Sequence, residues 1–127
     1  MAYLIDTDWA VDYLKGVDEK VSFLQSAEDL YITSISIGEL IEGIEGSEKK
    51  EARIRGLENF LANITVVSFT EEMAYTFGKI RNDLRKKGKL PGDIDLMIAA
   101  TALHLDLEVL TDNKKHFEHI SGIELYG

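Results

Sequence analysis

The chain has 127 residues, a net charge of −9 and no cysteine, so disulfides, thiolate zinc sites and cysteine nucleophiles are excluded. Its length and its 45% hydrophobic content suit one globular domain spanning residues 1–127. No stretch approaches the roughly 18 apolar residues of a membrane span, and the N-terminus lacks the features of a signal peptide. We therefore expect a cytoplasmic protein that does not enter a membrane. The acidic balance argues against nonspecific nucleic-acid binding through a broadly basic surface.

Short apolar strands alternate with longer helical patterns along the whole chain. The strands are predicted, in chain order, at residues 2–5, 30–33, 64–67, 107–110 and 122–125. Helices are predicted at residues 7–14, from residue 18, at 36–46, within 47–62, at 70–87 and at 94–105, with a helical turn at 113–117. This alternation is typical of an α/β fold in which helices cover both faces of a parallel sheet.

Four carboxylates lie where predicted strands end or predicted helices begin: Asp6, Glu39, Asp95 and Asp112. Strand C-termini and helix N-termini share one edge of such a sheet, so we expect these acids to lie close together. Two like charges about 4 Å apart repel by about 1 kcal/mol in water and about 4 kcal/mol at a protein-like dielectric. A divalent cation that prefers hard oxygen ligands, Mg²⁺ or Mn²⁺, would relieve this repulsion. The pattern predicts a metal-dependent phosphoryl-transfer enzyme with these four acids as catalytic groups and metal ligands.

Asp6 and Glu39 each have a simpler interpretation. Asp6 follows a buried strand, where a carboxylate is unfavourable unless it is paired or bound to metal, but it can also cap the helix at residues 7–14. Glu39 lies off the predicted apolar stripe of its helix, so it can be an ordinary solvated acid. That stripe consists of Ile37, Leu40, Ile41 and Ile44.

Asp95 and Asp112 are similarly open. Asp93 can cap the helix at 94–105, which leaves Asp95 free for another task, and the helix N-terminus would keep Asp95 ionised. Asp112 can be a turn or cap residue, with Asn113 as an equal candidate. Two hydroxyls near the acids, Thr7 and Thr111, can orient ligating carboxylates.

Basic residues cluster between positions 79 and 89, and three scattered histidines argue against a histidine-rich metal site. The clustered residues are Lys79, Arg81, Arg85, Lys86, Lys87 and Lys89. They can be the solvated end of a helix, where cations are favoured by the macrodipole. Arg81, Arg85 and Lys89 are also candidates for contacts with substrate phosphates.

Four segments carry a resemblance to a known family: Leu4–Asp8, Ile35–Leu40, Asp95–Leu103 and Val109–Phe117. In order and spacing they resemble PIN domains, most closely the VapC-type ribonuclease toxins of toxin–antitoxin modules. The resemblance covers nearly the whole chain. It implies a compact α/β/α domain with a mainly parallel sheet of about five strands.

The resemblance also implies an activity and partners. It implies an Mg²⁺- or Mn²⁺-dependent endoribonuclease that forms a homodimer and is blocked by a cognate antitoxin protein. Asp6, Glu39 and Asp95 would carry over as the acidic site. The fourth acid of the family falls at Asp112 or, in another register, at Asn113. In this interpretation Asp6 and Asp95 hold one metal, a second lies near Glu39 or Asp112, and Glu39 helps to activate water.

Three other functions compete with this hypothesis. The sequence Asp6-Thr7-Asp8 after a strand looks like the acid–x–acid start of phosphatases with an aspartyl nucleophile, and the size and acidity of the chain also suit a phosphoacceptor receiver domain. Both need a lysine at the end of a late strand, and residues 111–113 supply none. The third alternative is an inactive PIN-type binding subunit.

Overall fold

The computed structural model describes every residue from Met1 to Gly127. It contains four strands: β1 (Tyr3–Ile5), β2 (Leu30–Thr33), β3 (Thr65–Val67) and β4 (Glu108–Leu110). The first helices are α1 (Thr7–Leu14), α2 (Asp18–Ser26), α3 (Ser34–Glu45) and α4 (Lys50–Leu61). They are followed by α5 (Glu71–Lys87), α6 (Asp93–Leu105) and a short 3₁₀ helix (Lys114–His116). None of the helices combines the length and the apolar character needed to span a lipid bilayer.

All four strands are parallel and lie in the order β3-β2-β1-β4. From β1 the chain first builds outward through β2 to β3, and then returns to place β4 on the other side of β1. The strand order therefore reverses between β1 and β4. In open α/β sheets ligands bind at such a switch point, outside the carboxyl ends of the strands.

The fifth strand predicted at residues 122–125 is reduced to a single parallel bridge between Val109 and Leu125. Tyr126 still donates its backbone N–H to Val109 O at 3.0 Å, while its ring packs on three other aromatic rings. The centroid of Tyr126 lies 4.6 Å from that of Phe23 and 5.9 Å from that of Tyr3. The sheet has four strands instead of about five, and the C-terminal segment covers its edge.

Side chains of successive strand residues point to opposite faces, and each face has its own core. Ile5, Ile32 and Leu110 face a cluster built with α1–α4, whereas Leu4 and Val109 face one built with α5, α6 and the C-terminal segment. The buried residues that the helices add to the first cluster are Trp9, Ala10, Leu24, Leu40, Ile44, Leu57 and Phe60. Helices thus cover both faces, which gives the expected three-layer α/β/α architecture.

Two local predictions were wrong: Ile41 is not on the buried face of α3, and Asp93 does not cap α6. The buried residues of α3 are Ser36, Leu40 and Ile44, whereas Ile41 is 38% exposed. The helix starts at Ser34 because Thr33 caps it: Thr33 Oγ1 accepts a hydrogen bond from Ser36 N at 3.0 Å.

At α6 the N-cap is Gly92, and no side chain caps the helix. Asp93 is instead its first residue, and its carboxylate accepts a hydrogen bond from Arg81 Nε at 2.9 Å. The carboxylate of Asp93 therefore pairs with Arg81 and does not cap the backbone N–H groups of the helix start. Asp95 therefore lies in the first turn without serving as the cap.

Candidate active site

Asp6 lies at the switch point, between the end of β1 and the start of α1, and is only 4% exposed. One carboxylate oxygen accepts a hydrogen bond from Thr7 N at 2.8 Å, and the other accepts one from Thr111 Oγ1 at 2.7 Å. Asp6 is the N-cap of α1, so the capping role and the buried position coexist. The contact with Thr111 joins the carboxyl ends of β1 and β4.

The electrostatics of Asp6 are unfavourable for a carboxylate. Burial raises the pKa of Asp6 from its ordinary 3.8 to about 6, although the hydrogen bond from Thr111 acts to lower it. The negative charges of Asp8 and Asp95 raise this pKa further. No basic side chain forms an ion pair with Asp6. The structure therefore holds a buried acid that lies beside other acids and has no basic side chain as its partner.

Glu39 reaches the same place from α3. Its Oε1 accepts a hydrogen bond of 2.6 Å from the hydroxyl of Thr7, and the residue is partly buried. This contact excludes the interpretation of Glu39 as a freely solvated acid. Thr7 is adjacent to Asp6 in the chain and donates its backbone N–H to it, so one residue links two acids from different elements.

Asp95 comes from the first turn of α6, and its side chain is 21% exposed. Its charge contributes to the raised pKa of Asp6, which places the two carboxylates near each other. Asp95 Oδ2 lies 2.8 Å from Nδ1 of His116, in the 3₁₀ helix. The sequence analysis missed His116. Its only signal was its position a few residues after a strand that ends at the same edge.

Asp112 lies at the same edge but contacts a different set of residues. Its Oδ1 accepts a hydrogen bond from Trp9 Nε1, and its Oδ2 pairs with Lys20 Nζ, both at 3.1 Å. Its backbone N–H donates to Asp8 Oδ2 at 2.9 Å. Asn113 contacts the site through its backbone N–H, which donates to Thr111 Oγ1 at 3.0 Å.

Lys20 and Asp8 both contact Asp112, and the sequence analysis assigned neither of them to the site. Burial acts to lower the pKa of Lys20, but the hydrogen bond to Asp112 and the charge of Asp112 outweigh it and raise that pKa. Burial also raises the pKa of Asp8, against the hydrogen bond donated by the Asp112 backbone. Lys20 is therefore a charged lysine at an acidic edge.

The basic residues in α5 and directly after it differ in whether they form ion pairs. Arg81 is paired with Asp93, at the start of α6, and Lys87 with Asp83 at 3.0 Å. Arg85 and Lys89 are exposed and make no ion pair. These two side chains remain available for an anionic ligand.

The donor set suits a hard divalent cation. Thr7 links the carboxylates of Asp6 and Glu39, Thr111 orients Asp6, and the charge of Asp95 acts on Asp6. No group of three acidic or histidine side chains is arranged to enclose a metal ion by itself. Buried Asp6 has no basic side chain as a partner, which fits a cation here, and Asp6, Asp95 and Glu39 are the carboxylates that could hold it.

Comparisons with known proteins agree with this architecture. The family model for the PIN domain matches residues 3–123. Ribonuclease VapC2 of Haemophilus influenzae is 33% identical over 125 residues, 97% of this chain and 95% of that protein. The tRNA(fMet)-specific endonuclease VapC of Salmonella typhimurium is 32% identical over 127 residues, 98% of this chain and 96% of that protein.

Solved structures give the same picture. The structure of DNA-bound VapBC from Salmonella typhimurium matches with a TM-score of 0.90 and 31% identity, over 99% of this chain and 97% of that one. VapBC-1 from nontypeable Haemophilus influenzae matches with a TM-score of 0.85 and 32% identity, over 99% and 97% of the two chains. These chains share the fold over essentially their whole length.

Proposed function

Because the chain belongs to the PIN domain family and, within it, to the VapC ribonucleases, we propose that it is a metal-dependent endoribonuclease acting as the toxin of a toxin–antitoxin pair. The observation that carries this proposal is the meeting of Asp6, Glu39 and Asp95 at the switch point of the sheet. They come from the end of β1, from α3 and from α6. The relatives are named as ribonucleases, one of them specific for a transfer RNA.

The substrate and the partners follow from the same relatives. RNA is the proposed substrate, and a cognate antitoxin is the proposed protein partner, because the matched solved structures include VapBC complexes. The resemblance to VapC toxins adds a homodimer. Mg²⁺ or Mn²⁺ is the proposed cofactor, since both prefer carboxylate oxygens.

The chemistry is hydrolysis of a phosphodiester bond. A bound Mg²⁺ or Mn²⁺ would lower the pKa of a water and neutralise charge that develops on the phosphate. Asp6 and Asp95 would hold the ion, and Thr111 fixes the orientation of Asp6 through its hydroxyl. Glu39, held by Thr7 through one oxygen, would accept the proton of the attacking water at its other oxygen.

The residues around these acids complete the site. His116, against Asp95, is positioned to hold that carboxylate in place. Arg85 and Lys89 supply positive charge for the substrate backbone, the part of a nucleic acid that proteins contact with Lys and Arg. No serine, cysteine or histidine nucleophile is needed for this reaction.

An RNA cleavage assay tests the proposal. The wild type and the variants Asp95→Ala and Glu58→Ala are incubated with a panel of RNAs that includes initiator tRNA, in Mg²⁺ or in EDTA. Glu58 is an exposed acid on α4, away from the site, and is the matched control. We expect the wild type and Glu58→Ala to cleave in Mg²⁺ only, and Asp95→Ala not to cleave, while circular dichroism shows that it is folded.

Two results would contradict the proposal. Cleavage that persists in EDTA would exclude the metal-dependent mechanism. No cleavage of any RNA by the wild type would favour an inactive binding subunit instead.

A further inference from the structure

Lys20 is the one lysine among the buried residues of the protein, with 7% of its surface exposed. It lies in the first turn of α2, a helix whose other buried residue is Leu24. Lysine is almost never buried unless its charge is paired, because the ammonium loses its hydration. Its position therefore requires an acidic partner.

That partner is Asp112. Lys20 Nζ lies 3.1 Å from Asp112 Oδ2 and 3.8 Å from Asp12 Oδ2. It also lies 4.8 Å from the centre of the Trp9 ring, within the range of a cation–π contact. Lys20 is thus enclosed by two acids and one aromatic face.

Trp9 also forms a hydrogen bond with Asp112. Its Nε1 donates to Asp112 Oδ1 at 3.1 Å, while Lys20 contacts Oδ2. Both carboxylate oxygens of Asp112 are engaged by groups of this chain, and the plane of the carboxylate is fixed. The backbone of Asp112 is fixed as well, because its N–H donates to Asp8 Oδ2 at 2.9 Å.

The acids of this edge therefore fall into two groups with different partners. Asp6, Glu39 and Asp95 contact two threonine hydroxyls and a histidine. Asp112 and Asp12 contact a lysine ammonium. Only the second group is paired with a lysine, and a divalent ion bound to Asp112 would lie next to that ammonium and be repelled by it.

We propose that Lys20 is a resident counter-ion for Asp112, which stands in place of a second metal ion, so that the chain binds one divalent cation and not two. This inference rests on the proposed function, because it concerns the ion held by Asp6 and Asp95. Asp112 is then a positioning residue: it ties the segment after β4 to α1 and α2, and that segment carries Thr111 and His116 to the site.

Mn²⁺ binding to the full-length protein tests this inference without measuring activity. Isothermal titration gives the number of ions and their dissociation constant, and the electron paramagnetic resonance signal of free Mn²⁺ gives an independent count. The proteins are the wild type, Asp112→Asn, Asp95→Asn, Lys20→Met, Lys20→Arg and Lys50→Met. Lys50 forms an exposed ion pair with Glu45 at 3.3 Å and is the matched control.

We expect one Mn²⁺ in the wild type, Lys20→Arg and Lys50→Met. Asp112→Asn should change the dissociation constant by less than about threefold, whereas Asp95→Asn should raise it by more than about tenfold. Lys20→Met should bind a second, weaker Mn²⁺, because Asp112 and Asp12 lose their counter-ion. Trp9 is the only tryptophan, so its fluorescence shows whether each variant keeps this part of the fold.

Several results would overturn the inference while leaving the proposed function intact. These are two Mn²⁺ ions in the wild type, a loss of affinity in Asp112→Asn equal to that in Asp95→Asn, or a single ion in folded Lys20→Met. If Lys20→Met does not fold, the wild-type count and the Asp112→Asn affinity still decide. A wild type that binds no Mn²⁺ would instead contradict the proposed function, and the inference with it.

Discussion

Asp6 occupies a position that disfavours an ionised carboxylate in the folded protein. It is buried, its two oxygens accept hydrogen bonds from neutral donors, and the charges of Asp8 and Asp95 act against its ionisation. A residue selected only to cap α1 would be better placed in solvent, where ionisation is not penalised. The free-energy cost of keeping this buried carboxylate ionised is the physical basis of the proposed site.

The first prediction concerns the pH dependence of stability without metal. The pKa of Asp6 is about 6 in the folded protein and near 3.8 in the unfolded chain, so the folded state binds the proton first as pH falls. Acidification from about pH 7 to about pH 4 should therefore favour the folded wild type relative to Asp6→Asn.

Urea unfolding in EDTA measures this difference. At about pH 7.5 Asp6→Asn should be more stable than the wild type by about 2–3 kcal/mol, since each unit of pKa is worth about 1.4 kcal/mol. The gap should close by about pH 4. A constant difference across this range would show that Asp6 does not carry the penalty.

At the scale of single residues, the sequence predicted the acids of the site but not the side chains that pair with them. Asp6, Glu39 and Asp95 were predicted to lie at one edge because strand ends and helix starts can be located from local patterns. Lys20 and His116 were missed because their contacts, with Asp112 and Asp95, join residues far apart in the chain. No local periodicity encodes such a contact.

Among the elements, α6 determines the position of Asp95. Six of its residues are buried, which the nearly uniform apolar pattern of residues 94–105 predicted. It packs against α5 and β4. Its Leu96 is fully buried in the core on that face of the sheet, whereas its Leu105 is 38% exposed. A helix anchored in this way gives its first turn a fixed place over the sheet edge.

The second prediction compares two leucines of this helix. Leu96→Ala should lower the free energy of unfolding by about 2–5 kcal/mol, because it leaves a cavity in a closed core. Leu105→Ala should lower the free energy of unfolding by less than about 1 kcal/mol, because more than a third of this residue is already exposed to water. Urea denaturation of both variants provides the measurement, and equal losses would contradict the packing of α6.

Element types were predictable from periodicity, but their details depended on tertiary contacts. Ile41 fits a helical apolar stripe yet is exposed, and small Ser36 takes a buried place instead, bonded to Thr33. Asp93 was predicted to cap α6, but Arg81, twelve residues earlier, draws it into an ion pair. The predicted last strand is reduced to one bridge, at Leu125, and the ring of the following Tyr126 packs on Phe23.

For the molecule as a whole, charge distribution matters more than net charge. The chain carries −9, which would repel RNA if it were uniformly spread. Exposed basic residues lie in the last turn of α5 and directly after it, close in sequence to the start of α6 and Asp95. The fold thus places a basic segment beside the helix that supplies an acid of the site.

The third prediction tests whether this segment binds RNA. Arg85→Ala combined with Lys89→Ala should weaken binding of single-stranded RNA, and should reduce the slope of log affinity against log salt by about 0.7 for each lost phosphate contact. Lys49→Ala with Arg53→Ala, at the start of α4, removes the same charge elsewhere and serves as the control. Fluorescence anisotropy over a salt series measures both slopes, and identical effects of the two pairs would exclude a specific role for this segment.

The most direct test of the account is the effect of Mg²⁺ on unfolding of the wild type and Asp6→Asn. A ligand that binds only the folded protein at about 100 times its dissociation constant adds about 2.7 kcal/mol of stability. We predict such a gain for the wild type at about pH 7.5, and for Asp6→Asn a gain of less than about 0.5 kcal/mol at the same Mg²⁺ concentration. Equal gains in the two proteins, or no gain in the wild type, would contradict the claim that Asp6 and its neighbours hold a divalent cation.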